Sequence, residues 1–202
     1  MTEDKKRSAG AKPVRTETVT VRLDPKLRYL AELAARKQRR TVSSFIEWAV
    51  AKSLESVNVY EGSGYNGDQS TSFDQAASGL WDVDESERFV KLALQFPELL
   101  THEEQERWKM LLDSGLLGPG RYRLKNGSIH VDHGQMEDRV YPLLRTIWPQ
   151  ILEAQAAGEA ARQKWIRDMS REVREGHAYE GYPAKKPKTS SGFDDMDDDI
   201  PF

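Results

Sequence analysis

The 202-residue chain contains no cysteine, which excludes disulfides and thiol chemistry and suits a reducing compartment. No apolar run approaches the length of a membrane span, and the Met1–Arg7 start leads into no apolar stretch of the kind a secretion signal needs. Hydrophobic residues are scarce, 38% against 31% charged, too few for one core spanning the whole chain. A P-loop, a nucleophile elbow and paired-cysteine ligands are all missing, so no enzyme is expected. His130, Asp132 and His133 lie close together, but nothing completes a known ligand set around them. His102 with Glu103, Glu104 and Glu106 reads as a solvated helix face. No metal, no cofactor and no membrane partner are expected.

Charge is unevenly distributed. The net charge is −3, yet residues 1–40 carry +7 and residues 41–202 carry −10. A basic front joined to an acidic remainder points to nucleic acid at one end and a basic protein at the other. The expected order is a disordered basic arm over 1–15, a patterned unit over 16–55 and a flexible linker over 56–80. A helical domain with one β-hairpin at 121–131 follows over 81–175, then a second linker over 176–192 and an acidic tip over 193–202. The fold class is mainly α.

Residues 16–23 alternate strictly. Val19, Val21 and Leu23 point one way, while Thr18, Thr20 and Arg22 point the other, the period of a half-buried strand. Asp24-Pro25 then starts a helix with an N-cap and a proline at its first position. Leu27, Leu30, Ala31 and Ala34 form its apolar stripe, and Phe45, Ile46, Ala49, Val50 and Leu54 mark a second helix after Thr41 or Ser43. One strand and two helices cannot close a core alone, and the cheapest source of the strand's partner is a second copy of the chain.

This pattern, Thr18-Val-Thr-Val-Arg-Leu-Asp-Pro followed by Arg40-Thr-Val-Ser-Ser-Phe-Ile-Glu-Trp-Ala, resembles the ribbon–helix–helix family of the Arc/MetJ/CopG type. The resemblance implies a homodimer with an intermolecular two-stranded ribbon, Val19, Val21 and Leu23 forming the ribbon core. It places Thr18, Thr20 and Arg22 in the major groove of duplex DNA and makes the amides of Thr41, Val42 and Ser43 a phosphate clamp. Arginine can pair with guanine in bidentate fashion, and a helix N-terminus offers unpaired donors to an anion. Arg39 and Arg40 would add phosphate contacts.

Residues 194–199 hold five aspartates, including Asp197, Asp198 and Asp199, and run directly into Ile200-Pro201-Phe202. An apolar anchor, a carboxylate beside its ring and a run of steering charge make a docking peptide suited to a hydrophobic pocket rimmed by Arg and Lys. This end resembles the C-terminal tip of bacterial single-stranded DNA-binding proteins (SSB), a resemblance covering about ten residues. It implies recruitment of SSB-interacting replication and repair enzymes, and with it a bacterial or phage protein of the cytoplasm, associated with the nucleoid. Two other roles stay open: a decoy that competes with SSB for a nuclease or helicase, and a simple autorepressor.

Between these ends, Asp84 with Glu87 and Thr101 with Glu104 have capping-box spacing, and Gly115 should stop a helix. Tyr122-Arg-Leu-Lys, Asn126-Gly127 and Ser-Ile-His-Val have the signature of a hairpin. Pro142 and Pro149 should start or kink the helix that follows. Arg121, Arg123 and Lys125 on the hairpin permit a winged DNA-binding module, but a clear recognition helix is missing, which favours a small packing domain.

Overall fold

The computed structural model describes residues 19–64 and 67–182. It is mainly helical, with two small antiparallel hairpins. The chain divides into two compact units, Met1–Asn58 and Val59–Phe202. Among the described residues no helix is long and apolar enough to cross a membrane.

In the first unit, residues 19–24 precede α1 (Pro25–Lys37) without a strand partner among the described residues. Asp24 caps α1, accepting from the amides of Lys26 at 2.9 Å and Leu27 at 3.2 Å. Glu32 pairs with Arg28 at 3.2 Å and Arg36 at 4.0 Å along one exposed face, a spacing that stabilises a helix by a few tenths of a kcal/mol per pair (about 0.2–0.5). α2 (Val42–Leu54) packs on α1, but only Ala31 and Ala35 are buried in the two helices, both from α1.

The second unit begins with β1 (Asn58–Gly64) and β2 (Gly67–Ser72), which pair with each other and lead directly into α3 (Phe73–Leu80). The flexible linker expected over 56–80 is therefore wrong. Backbone pairing needs no apolar side chains, so its Gly, Ser and Gln content did not betray the hairpin. Ser72 and Gln75 then close a reciprocal capping box, at 3.3 and 3.0 Å, that starts α3.

α4 (Glu85–Gln95), α5 (His102–Ser114), α7 (Tyr141–Ala156) and α8 (Glu159–Glu175) pack around the core. Val90, Leu111, Leu116, Met136, Leu144 and Ile151 lie at its centre. The Phe89 ring meets Trp108 edge-on at 6.2 Å and Trp148 at 5.4 Å, and the Arg107 guanidinium covers Phe89 and Trp148 at 5.4 and 5.3 Å. Thr101 and Glu104 form the expected box at the start of α5, and Gly115, at φ 75°, ends it.

β3 (Arg121–Arg123) and β4 (Ile129–Val131) form the expected hairpin, closed at Asn126-Gly127 with Gly127 at φ 87°. A short turn, α6 (His133–Gln135), continues through one π-helical turn, Met136–Val140, into α7. Pro142 lies in the first turn of α7, whereas Pro149 is carried inside it.

Order continues past the expected end of this domain at 175. Tyr179 is buried and its hydroxyl donates to the Leu116 carbonyl, while Tyr182 accepts from Arg139 at 3.1 Å and shares a 2.8 Å hydroxyl contact with Thr146. The linker expected from 176 thus gives up its first seven residues to the fold, because two tyrosines after Gly176 fold back on the bundle.

One expected cap has a different role. Asp84 caps α4 through the amides of Ser86 and Glu87, but the Glu87 side chain turns inward, 1% exposed. It pairs there with Arg145 of α7 and lies 3.8 Å from Lys91, which in turn holds Asp82 at 2.7 Å. Lys91's hydrogen bond lowers the Asp82 carboxyl to about 2. Burial raises that of Glu87, opposed by the Arg145 contact.

Candidate nucleic-acid interface

Of the residues expected to meet DNA, Thr18 lies outside the described residues, as do Asp197, Asp198, Asp199, Ile200, Pro201 and Phe202 at the other end. Thr20 and Arg22 are exposed, as the alternation requires of an outward face. The inward set is uncovered too. Val19 is 78% and Val21 59% exposed, and only Leu23 is half-buried. Leu27, Leu30, Val50 and Leu54 of the two helices are also exposed. So much apolar surface on so small a unit is the mark of an interface rather than of a finished surface.

The connection between α1 and α2 brings Arg39, Arg40, Thr41, Val42 and Ser43 together. The amide of Arg39 donates to the Arg36 carbonyl at 3.0 Å and that of Arg40 to the Ala35 carbonyl at 2.9 Å, the paired bonds of a Schellman ending. The ending requires a left-handed residue between helix and exit, and Arg39 occupies it at φ 55°. Glycine is usual there, and a side chain costs about 1–2 kcal/mol.

Thr41 caps α2 by accepting from the Ser44 amide at 3.1 Å. Among the described residues nothing accepts from the amides of Thr41, Val42 and Ser43, so these donors face outward at the positive end of α2. The Arg40 guanidinium lies 5.6 Å from the Trp48 ring, which itself meets Phe45 at 5.7 Å. Trp48 was not among the expected site residues. Arg40 precedes α2, so helical spacing in the sequence gave no signal for this contact.

Anion contact is the chemistry this turn can perform: three unpaired amides, two exposed guanidinium groups and no carboxylate from Gln38 to Ile46. Replacing Arg39 with glycine separates geometry from charge. Arg39→Gly is expected to stabilise the unit by about 1 kcal/mol while weakening DNA of any sequence and flattening its salt dependence. Thermal unfolding and DNA titration at several salt concentrations check the two effects, and a lowered melting temperature would contradict the left-handed assignment.

Elsewhere, His130 is exposed with its ring tilted against Tyr122, while Asp132 accepts from the Gln135 amide at 3.0 Å, so neither joins His133 in a ligand set. Among the described residues no cluster of His, Asp and Glu could hold a metal ion. Compared with known proteins, the chain matches no family model, no curated sequence and no solved structure.

Proposed function

We propose that the protein is a homodimer that grips duplex DNA through a ribbon shared by two copies and displays acidic tips that recruit replication or repair enzymes. The observation that carries this reading is the uncovered inner face of the first unit, Val19 and Val21 with the exposed leucines of both helices. An antiparallel ribbon built from residues 16–23 of two chains would bury the two valines and turn Thr18, Thr20 and Arg22 toward the major groove. The open amides at Thr41–Ser43, with Arg39 and Arg40, would then hold the flanking phosphates.

A dimer carries two tips. Two weak docking peptides on one DNA-bound scaffold raise the local concentration of a captured enzyme without any new contact. The tip's anchor is Phe202, with Asp197, Asp198 and Asp199 steering and Pro201 limiting the ordering cost.

Affinity purification from nuclease-treated bacterial lysate, with and without Phe202, tests the recruiting half. Removal of Phe202 should abolish capture of SSB-interacting enzymes and leave duplex affinity within about twofold. Undiminished capture would contradict it.

A further inference from the structure

The second unit is acidic overall, yet residues 115–131 contain Arg121, Arg123 and Lys125 and no acid. All three cations fall on the β3–β4 hairpin, whose placement is fixed by its own contacts. At its base, Val131 packs on the core, the Arg121 guanidinium lies over the Trp108 ring at 5.8 Å, and the Asp132 amide donates to the Gly120 carbonyl at 2.8 Å. At its tip, the Leu124 amide donates to the Ser128 carbonyl at 2.8 Å, and Asn126 accepts from the Ser128 amide at 3.0 Å. Anchored to the core at its base and closed by its own turn at its tip, the ribbon can serve as a platform.

Its outer residues are those a nucleic-acid platform needs. Tyr122 and His130 are cross-strand partners, their rings 5.1 Å apart on one face, and both are exposed. Leu124 continues that face by the two-residue period. By the same period Arg123 alternates to the opposite face, with Arg121, and Lys125 follows β3 in the turn; both are exposed, and neither enters an ion pair among the described residues. A strand lying over the exposed rings can stack its bases on them while the unpaired cations, on long side chains of the same narrow ribbon and its turn, reach its phosphates.

We propose that the β3–β4 hairpin is a contact for single-stranded nucleic acid, with Tyr122 and His130 stacking on unpaired bases and Arg123 and Lys125 holding the backbone. Base faces are open to a ring only when the strand is unpaired, so duplex is excluded as the preferred ligand. A flat ribbon face also suits a base better than it suits an apolar peptide anchor, which needs a socket. This site lies wholly within the second unit and is independent of the ribbon proposed for the first.

The test uses the full chain with fluorescein-labelled oligo(dT) and oligo(rU) of about 15 nucleotides and a duplex of the same length. Tyr122→Ala should weaken binding of the single strands at least about fivefold, and Tyr122→Phe should restore most of it. Arg123→Gln with Lys125→Gln should weaken it and lower the salt dependence by roughly two contacts. Duplex affinity should move less than about twofold in every variant, and unchanged thermal unfolding confirms that the fold survives. Loss confined to dT or to rU identifies which strand chemistry the site serves. Single-strand affinity unchanged by these substitutions, or duplex affinity falling in parallel, would overturn the proposal. So would unchanged single-strand affinity combined with lost binding of a synthetic 193–202 peptide, which would assign the face to the acidic tip of another copy.

Discussion

Val21→Glu should split the dimer and abolish duplex binding in one step. Val21 is 59% exposed in a single chain and, in the proposed ribbon, is covered by the other copy. Each buried valine contributes about 1.5–3 kcal/mol, and two such side chains meet across the symmetry axis. Glutamate removes that gain and adds the cost of desolvating a charge without a partner, several kcal/mol more. The dimer dissociation constant should therefore rise by at least about a thousandfold. Thr20, one residue earlier, faces the other way, so Thr20→Ala should weaken DNA binding and leave the dimer intact. Sedimentation and anisotropy titration on the two variants check the period of two. A Val21→Glu protein that remains dimeric would remove the ribbon from the account.

Arg145→Ala should markedly destabilise the second unit. It leaves Glu87, 1% exposed, with Lys91 at 3.8 Å as its remaining counter-charge among the described residues. Breaking one side of a buried pair costs about 3–5 kcal/mol, and because half of the Arg145 side chain is in water, about 2–3 kcal/mol is expected here. The pair itself need not be stabilising, since Glu87→Met with Arg145→Met should recover most of the loss.

The pH dependence follows from the direction of the shift. Burial raises the Glu87 carboxyl above its ordinary value of 4.5, so the folded state holds that proton more tightly. Its contribution is fully present below the unfolded value and is lost as pH rises through the folded one. Arg145 opposes the rise, so without it the folded value climbs further and the variant's deficit should be larger near pH 7 than near pH 5. Asp82 acts in the opposite sense, its contribution present above 3.8 and lost as pH falls toward about 2. Urea unfolding of wild type and variant at both pH values gives the result, and equal deficits would mean that Glu87 is not the affected group.

Features set by neighbouring residues were legible in the sequence. Asp24-Pro25, Thr101 with Glu104, Gly115 and Asn126-Gly127 each start or stop an element through bonds spanning a few residues. What failed depended on distant partners. Asp84 and Glu87 have the spacing of a capping box, but an arginine 58 positions beyond Glu87 draws its carboxylate into the core. Residues 58–72 looked like linker because strand pairing is written in the backbone rather than in apolar side chains. Tyr179 and Tyr182 extend the fold because Leu116, Arg139 and Thr146 are there to receive them.

At the candidate site, the exposed Thr20 and Arg22 and the cap at Thr41 follow from local pattern, whereas the left-handed Arg39 defies it by standing where glycine is usual. Trp48 beneath Arg40 required knowing which side of α2 faces the turn.

Sedimentation equilibrium of the full chain, alone and with a duplex oligonucleotide, bears most directly on this account. Two copies in free solution and an even number of copies on each duplex are predicted. A stable single copy at micromolar concentration, with no affinity for duplex DNA, would contradict it.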